Sequence, residues 1–463
     1  MLKKTKIVAT IGPASWDKEI FQQLVESGLT VARINMSHAD IPEMQRVTKM
    51  VRSVSKDVAV LVDLKGHEVR LNDFGEPINL KKNQKFIFGC EPKSQKVWVS
   101  YSELYKDVKV GSRLLVDDGK LTFDVVEVEG KDIVTKVVHG GVMNKKKTMN
   151  IPGVHLSFEG LTEKDYEDTV AAVKLGADYI AASFVRSAED IHLLRDLTQN
   201  SLVRIISKIE DSEGVMNFDS ILDTSDGIMV ARGDLGVEIE AEKVPVLQKE
   251  FIEKCNKLGK PVIVATQMLE SMLENPTPTR AEINDVANAV YDGADAVMLS
   301  GESSVGKFPV EAVSVMTKVA REVELHIDSV TRENMIAAKP ATNAIARAVA
   351  DICESLPIDK ILVATATGTT AITLSRFRLK QPIYAFTRDE MFNRRLALHR
   401  GIHATVMKSA AASRDLGVKA VAKEAFDAGY VSESDLVVIV AGANIMGQGA
   451  TNMLEIQRVG ALL

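Results

Sequence analysis

Eight short apolar runs recur between Lys6 and Gly301: KIVATIG (6–12), TVARINM (30–36), VAVLVDL (58–64), DYIAASFV (178–185), RIISKIE (204–210), DGIMVARG (226–233), PVIVATQ (261–267) and DAVMLSG (295–301). Each is continuous and rich in β-branched residues, the pattern of a strand buried on both faces. Most are separated by stretches with helical spacing, such as EIFQQLVESG and KVPVLQKEFIEKCNKLG. The second of these closes on Gly259, a residue suited to the left-handed position beyond a helix end. Eight strand–helix units predict an α/β fold, a closed parallel (β/α)8 TIM barrel; an open doubly wound sheet is the alternative arrangement.

The pattern changes twice. Over 67–150 the chain carries short segments (KFIFGC, KVWVS, SRLLVDDGK, LTFDVVEVEG, DIVTKVVHGG) divided by Gly, Asp and Asn. These predict antiparallel strands, a small β-barrel inserted as a lid after the third barrel strand, with VDDG (116–119) as a hairpin turn. From 336 the order becomes helix (342–356), strand KILVATAT, helix, strand IYAFTR, helix, strand HATVMK, helix, strand LVVIVAGA and a last strand MLEIQRV. That order predicts a C-terminal doubly wound α/β domain. The expected division is 1–66 with 151–335 for the barrel, 67–150 for the lid and 336–463 for the third unit.

Composition narrows the function classes. Aromatic residues make up only 5% of the 463 residues against 46% hydrophobic overall, so the cores are aliphatic. Cys90, Cys255 and Cys353 are far apart and match no metal spacing, which fits a reduced, cytoplasmic compartment. No apolar run is long enough to span a bilayer, so no membrane role is expected. The net charge of −6 argues against a nucleic-acid partner, since phosphate backbones demand a basic surface. Any phosphate ligand must therefore meet local positive charge.

That charge lies where a TIM barrel places its active site, at the C-terminal ends of the strands. The second run ends in Arg33, Asn35, Ser37 and His38, and the third in Asp63, Lys65, Glu68 and Arg70. The fifth ends in Lys208 and Glu210, and the sixth in Arg232, Gly233 and Asp234. The seventh ends in Thr266 and Gln267, and the eighth in Ser300 and Glu302. Arg33, Lys208 and Arg70 facing one cavity suit a phosphorylated anion. Glu210 and Asp234, on adjacent strands, suit Mg²⁺ or Mn²⁺, hard ions that also bind substrate oxygens. A layer of structural ion pairs is the competing explanation for such residues at one or two strands.

With these residues in place the sequence resembles the pyruvate kinase family over almost its whole length. The matching stretches include KIVATIGPAS (6–15), ARINMSH (32–38), DLKGHEVR (63–70), NIPG (150–153), EKD (163–165), ISKIE (206–210), MVARGDLGVE (229–238), ATQMLESM (265–272), the long run at 278–302, and GATN (449–452). The resemblance implies transfer of a phosphoryl group from phosphoenolpyruvate to ADP, giving pyruvate and ATP through an enolate. It implies that Lys208 sits at the transferring group, that Arg33 grips the phosphate, and that Gly233, Asp234 and Thr266 hold the substrate carboxylate, with Thr266 in the region that protonates the enolate. It also implies Glu210 and Asp234 as ligands of Mg²⁺ or Mn²⁺. Asn35, Ser37, Asp63 and the Leu64 carbonyl correspond to the K⁺ ligands, and Asn35, His38, Arg70 and Lys164 to the nucleotide contacts. Family members are commonly homotetramers. A barrel lyase acting on phosphoenolpyruvate or pyruvate, and a non-catalytic metabolite sensor, are the competing functions.

Three departures stand out. The family's D-T-K-G-P-E-I-R reads D-L-K-G-H-E-V-R here. Glu68 implies K⁺ activation, whereas Leu64 and Leu71 resemble K⁺-independent members; K⁺ activation is the expectation. His67 replaces a hinge proline, which predicts a looser first connection to the lid; a plain solvated histidine is the favoured reading of its side chain, and lid closure that responds to pH is the alternative. The loop TATGTTA resembles the family's effector-phosphate loop through Thr365, Thr367, Gly368, Thr369 and Thr370. Neither it nor AGANIMGQGATN (441–452) carries Lys or Arg, so a doubly phosphorylated sugar is disfavoured, and a singly phosphorylated sugar or nucleotide, or no effector, is expected.

Overall fold

The computed structural model describes residues 3–158, 160–199, 201–327, 340–408, 414–442 and 451–463. The 335/336 boundary and positions 443–450 of the AGANIMGQGATN stretch, Gly449 and Ala450 of GATN among them, lie outside the described residues.

All eight apolar runs become strands of one closed parallel barrel: Lys6–Thr10, Val31–Asn35, Ala59–Asp63, Tyr179–Ala182, Arg204–Ile209, Gly227–Ala231, Val262–Ala265 and Ala296–Leu299. Alternation along these strands sorts the side chains. Ile7, Ala9, Ile34, Val60 and Val62 face the surrounding helices. Val8, Val31, Leu61, Tyr179, Ile206 and Met298 fill the lumen. The same two-residue period then sets Thr10 above Val8, Arg33 above Val31, Asp63 above Leu61 and Lys208 above Ile206. The barrel interior is thus apolar below and charged at its upper mouth, and a one-residue slip of any strand would exchange the two faces.

The helix Val244–Leu258 ends at Gly259, which takes φ 73°, the left-handed conformation expected there. The stretch ARGDLGVE forms the helix Arg232–Glu238 directly on the sixth strand.

Between the third and fourth barrel strands lies the lid. Its five-stranded antiparallel sheet runs in the order Met149–Asn150, Arg113–Val116, Leu121–Glu129, Asp132–His139, Lys85–Gly89. A two-stranded ladder, Ile78–Leu80 with Gly141–Met143, packs on the same core of Val69, Phe88, Leu114, Phe123 and Met143. Asp117 and Asp118 both take positive φ (57° and 55°) in the hairpin between two of these strands.

The third unit is a five-stranded sheet in the order Ile402–Val406, Ile383–Thr387, Lys360–Ala364, Leu436–Gly442, Thr451–Arg458, with only the last strand antiparallel. Helices cover both faces, giving one core around Ala346, Leu374 and Phe377 and another around Val421, Ala422 and Tyr384. This unit closes the lower end of the barrel: Leu398 joins the lumen core, and Tyr179 donates its hydroxyl hydrogen to the Arg395 carbonyl at 2.9 Å. Among the described residues no helix is long and apolar enough to cross a membrane.

Candidate active site

The upper mouth is organised around Asp63, which is fully buried. One carboxylate oxygen accepts from Arg33 Nε at 2.6 Å; the other faces Lys208 Nζ at 3.2 Å. Arg33 also donates to the Thr10 hydroxyl at 2.7 Å, which fixes the guanidinium plane. Lys208 donates to Ser183 Oγ at 2.7 Å and pairs with Glu210 at 2.9 Å. The other oxygen of Glu210 accepts the Phe184 backbone N–H at 2.6 Å. Phe184 takes φ 52°, a costly value for an aromatic residue, and that conformation turns its N–H toward Glu210.

A second strained corner ends the seventh strand. Thr266 and Gln267 take φ 66° and 53°. Arg232 holds this corner: it binds Asp285 through two bonds of 2.7 Å and donates to the Thr266 carbonyl at 2.7 Å. The Thr266 hydroxyl accepts the Gly233 N–H at 2.7 Å and donates to the Ala265 carbonyl at 2.6 Å. A β-branched residue in the left-handed region costs about 1–3 kcal/mol, and here the strain aims a hydroxyl at the first turn of the helix bearing Asp234.

The electrostatics are lopsided. Burial opposes ionisation of Asp63, but Arg33 and Lys208 outweigh it and hold the carboxyl below its ordinary range. Burial likewise opposes the charge on Lys208, yet Asp63 and Glu210 keep its pKa above the usual lysine value. Glu210 is pushed up to about 7, first by burial and then by Asp234, against the pull of Lys208. Asp234 is raised by burial, with Asp118, Glu68 and Asp63 adding to the repulsion. In the Lys208–Glu210 contact the ammonium keeps its charge because Asp63 stands on its other side. Three carboxylates face two cations, and the excess negative charge falls on Glu210 and Asp234.

That excess is what a divalent cation would neutralise. Among the described residues no group of three or more His, Cys, Asp or Glu side chains is placed to hold a metal ion. The two-carboxylate set fits an ion that takes its remaining ligands from substrate and water, as Mg²⁺ does. For a monovalent cation, Asn35 and Asp63 lie opposite each other on neighbouring strands. Ser37 donates its N–H to Asn35 Oδ1 at 3.1 Å, and the Leu64 carbonyl accepts from Ser183 at 2.6 Å. Leu64 lacks a threonine's hydroxyl but keeps its backbone oxygen.

The remaining predicted residues are more dispersed. His38 is exposed beyond the second strand. Arg70 binds Glu68 through bonds of 2.8 and 3.1 Å at the root of the lid. Lys164 lies in the first turn of Glu163–Lys174, paired with Asp168 at 2.8 Å. In the third unit Thr365 accepts the Gly368 N–H at 3.1 Å, Thr367 and Thr369 hydroxyls lie 3.0 Å apart, and Thr370 bonds Thr451 at 2.7 Å.

Several functional neighbours escaped the sequence reading. Ser183 and Thr10 hold Lys208 and Arg33, and each stands two residues beyond an apolar inward position of its strand, Ala181 and Val8, which is the signal that would have found them. Asp118, read as a turn residue, lines one cavity with Asp234, Gly233 and Thr266. Only the folding of the lid onto the barrel reveals that. At the position of the expected hinge, His67 stacks on Phe158 and bonds to the Gly160 carbonyl.

A TIM barrel whose upper mouth gathers a lysine, an arginine and a buried carboxylate pair beneath an inserted lid belongs to an enzyme that handles a phosphorylated carboxylic acid. Comparison with known proteins makes the assignment specific. Residues 2–313 match the family model for the pyruvate kinase barrel domain, and residues 343–457 the model for the pyruvate kinase alpha/beta domain. The chain is 43% identical to the pyruvate kinase of Geobacillus stearothermophilus over 100% of its own length and 81% of that protein. It is 41% identical to the pyruvate kinase of Clostridium acetobutylicum, covering 99% of this chain and 100% of that one. A crystal structure of a pyruvate kinase from Cryptosporidium parvum superposes with a TM-score of 0.93 at 37% identity, covering 99% and 96% of the two chains. This chain belongs to the pyruvate kinase family. It transfers the phosphoryl group of phosphoenolpyruvate to ADP; the lyase and sensor readings are not favoured.

Proposed function

We propose that the residues at the upper mouth divide this reaction as follows. Arg33 and Lys208 bind the phosphoryl oxygens of phosphoenolpyruvate. The substrate carboxylate lies at the start of the helix Arg232–Glu238, against the N–H groups of Gly233 and Asp234 and the Thr266 hydroxyl. Glu210 and Asp234 hold Mg²⁺ or Mn²⁺, which when bound neutralises charge on substrate oxygens. Lys208 then stabilises the enolate oxygen as the phosphoryl group leaves. Thr266 Oγ lies on the side from which the enolate carbon takes its proton. Asn35, Ser37, Asp63 and the Leu64 carbonyl bind K⁺, and Asn35, His38, Arg70 and Lys164 contact the ADP phosphates. The lid over 67–150 excludes water from the barrel formed by 1–66 and 151–335.

The observation that carries this reading is the Lys208 ammonium, held charged between Asp63 and Glu210 beside a carboxylate pair that burial disfavours. Purified protein mixed with phosphoenolpyruvate, ADP and Mg²⁺ tests it. Equimolar pyruvate and ATP, absent from Lys208→Ala, are expected, with a clear drop when Na⁺ replaces K⁺. Transfer retained by Lys208→Ala would remove the proposed role of Lys208.

For 336–463 we propose binding of a singly phosphorylated sugar or nucleotide effector by the loop Thr365–Thr370. What supports this is a cavity of about 340 Å³ between that loop and the lower end of the barrel, where Thr367 meets Arg195, Arg204, Lys260 and Arg395. The cations missing from the loop's own sequence stand across the cavity. Assembly as a homotetramer in the cytoplasm follows from the family reading, and light scattering of the purified chain checks the subunit number.

A further inference from the structure

The lid joins the barrel through two segments, one leaving after Asp63 and one returning before the fourth strand, and His67 is where their side chains meet. Its ring stacks on Phe158 of the returning segment, with centroids 4.5 Å apart and planes 12° from parallel. Its Nε2 lies 2.8 Å from the Gly160 carbonyl oxygen. A carbonyl only accepts, so Nε2 carries the hydrogen, as it does in both that neutral tautomer and the imidazolium.

The surroundings make this contact a pivot. Just before it, the Gly66 N–H is held by Asp165 at 3.1 Å, and a Cβ at Gly66 would lie 2.8 Å from Ser183 Cβ, so the outgoing chain is pressed against the barrel up to that residue. On the returning side, Phe158 also meets Tyr101 of the lid at 4.5 Å and lies under the Arg186 guanidinium of the barrel at 5.3 Å. Ser157 is fixed to the lid through Asp107, by bonds of 2.9 and 3.0 Å. Arg186 is fixed to the barrel through Asp211 at 2.6 Å. Phe158 thus receives one contact from the lid, one from the barrel and one from the outgoing segment. Directly after His67, Glu68 carries Arg70, and Glu68, Asp118 and Asp234 line one cavity with His67 itself.

We propose that His67 is a positioning residue for phosphoryl transfer: by clamping the outgoing segment to Phe158 and Gly160 it sets how far the lid closes over the ADP side of the site. This rests on the role given above to Arg70 and the lid. With the clamp intact, Arg70 and Asp118 are presented to the mouth of the barrel. Without it, the lid rotates about Gly66, the ADP phosphates lose a contact, and water reaches the phosphoryl group. The competing step is then hydrolysis: the P–O bond of phosphoenolpyruvate breaks, water oxygen takes phosphorus, one water proton goes to the enolate carbon, and inorganic phosphate and pyruvate leave.

Steady-state kinetics with Mg²⁺ and K⁺ on three variants tests this: His67→Ala, His67→Phe (stacking kept, donor lost) and His67→Gln (donor kept, stacking lost). His67→Ala is expected to raise KM for ADP about tenfold, the combined worth of one stacked pair and one hydrogen bond. KM for phosphoenolpyruvate should change less than about twofold, and inorganic phosphate released per ATP formed should rise. The other two variants should fall between. A merely structural role would lower the active fraction and leave both KM values and the phosphate-to-ATP ratio unchanged. If His67→Ala does not fold, the other two variants carry the measurement. Unchanged KM for ADP and an unchanged ratio in the variants that melt as the parent does would overturn the clamp. Activity of the parent and its loss in Lys208→Ala keep the catalytic reading separate from this outcome.

Discussion

The two ends of the barrel both bury charged side chains, and they resolve the problem in opposite ways. At the lower end Asp295 is buried, but Arg378 lies 2.9 Å from one oxygen and 3.1 Å from the other, and the Arg400 N–H adds a third bond at 3.1 Å. Burial opposes its ionisation, yet Arg378 outweighs it and the carboxyl is held below its usual range. Asp178 is shared between Arg52 at 2.6 Å and Arg394 at 2.8 Å. Here the cations are the groups under strain: burial takes Lys3 down to about 7, and Lys4 and Lys6 down to about 8. At the upper end Lys208 is comfortable and Glu210 and Asp234 are not. The difference separates structural from functional charge. A structural carboxylate is satisfied within the chain, as at the domain junction; a catalytic one is left short of partners, so that a ligand completes it. The sign of the shortfall at the upper end matches the cation proposed there.

The comparison can be broken at either end. The largest effect is expected from Lys208→Ala, which should lower kcat by about a thousandfold or more while costing less stability than a broken pair at the lower end, because Arg33 still pairs with Asp63 and Glu210 can take up a proton. A loss of stability matching that at the lower end would erase the distinction. Next comes Arg378→Met. Removing one partner of a buried pair costs about 3–5 kcal/mol, so denaturant melts should show a severe loss, while kcat per folded molecule stays unchanged.

A smaller effect concerns pH. Glu210 has a folded pKa raised to about 7, so between its unfolded value and that point the native state holds a proton the unfolded chain has lost. Its contribution to stability therefore falls as pH rises toward 7. Thermal melts without divalent metal should show this slope, Glu210→Gln should remove it, and Mg²⁺ should reverse it by binding the deprotonated form. Over the same range Mg²⁺ affinity should rise with pH, by up to about tenfold per unit, with proton release seen in calorimetry.

The smallest effect is expected at the domain junction. Arg395 has no hydrogen-bond partner for its Nε among the described residues, and burial lowers its pKa. Inorganic phosphate at millimolar concentration should raise the melting temperature of the parent by a few degrees and that of Arg395→Met by less. Equal shifts would remove the anion preference assigned to the lower end.

Much of this was legible in the sequence, for identifiable reasons. Continuous β-branched runs became barrel strands without exception, because a strand buried on both faces tolerates little else. Arg33, Asp63, Lys208 and Glu210 could be placed at one mouth because alternation and a parallel barrel leave a strand-end residue no other place to go. The contacts of His67 were not legible, because a proline-to-histidine change speaks of backbone freedom, whereas Phe158, its stacking partner, lies far along the chain. The loop around Thr367 looked poor in charge for a similar reason: the cations that line the cavity beside it lie elsewhere in the chain, at Arg195, Arg204, Lys260 and Arg395.

The sequence alone determined the order of the elements, the apolar and polar faces of each strand, and the motifs that place the chain in its family. These are local properties, set by periods of two and 3.6 residues and by short motifs. Tertiary structure decided which carboxyls are pushed up and which held down, which lysines are favoured in their charged form, what His67 packs against, and that Thr266 and Phe184 adopt strained conformations. Those properties depend on what lies across the barrel or the domain junction, since burial and Coulomb energy are set by distance in space and not by distance along the chain.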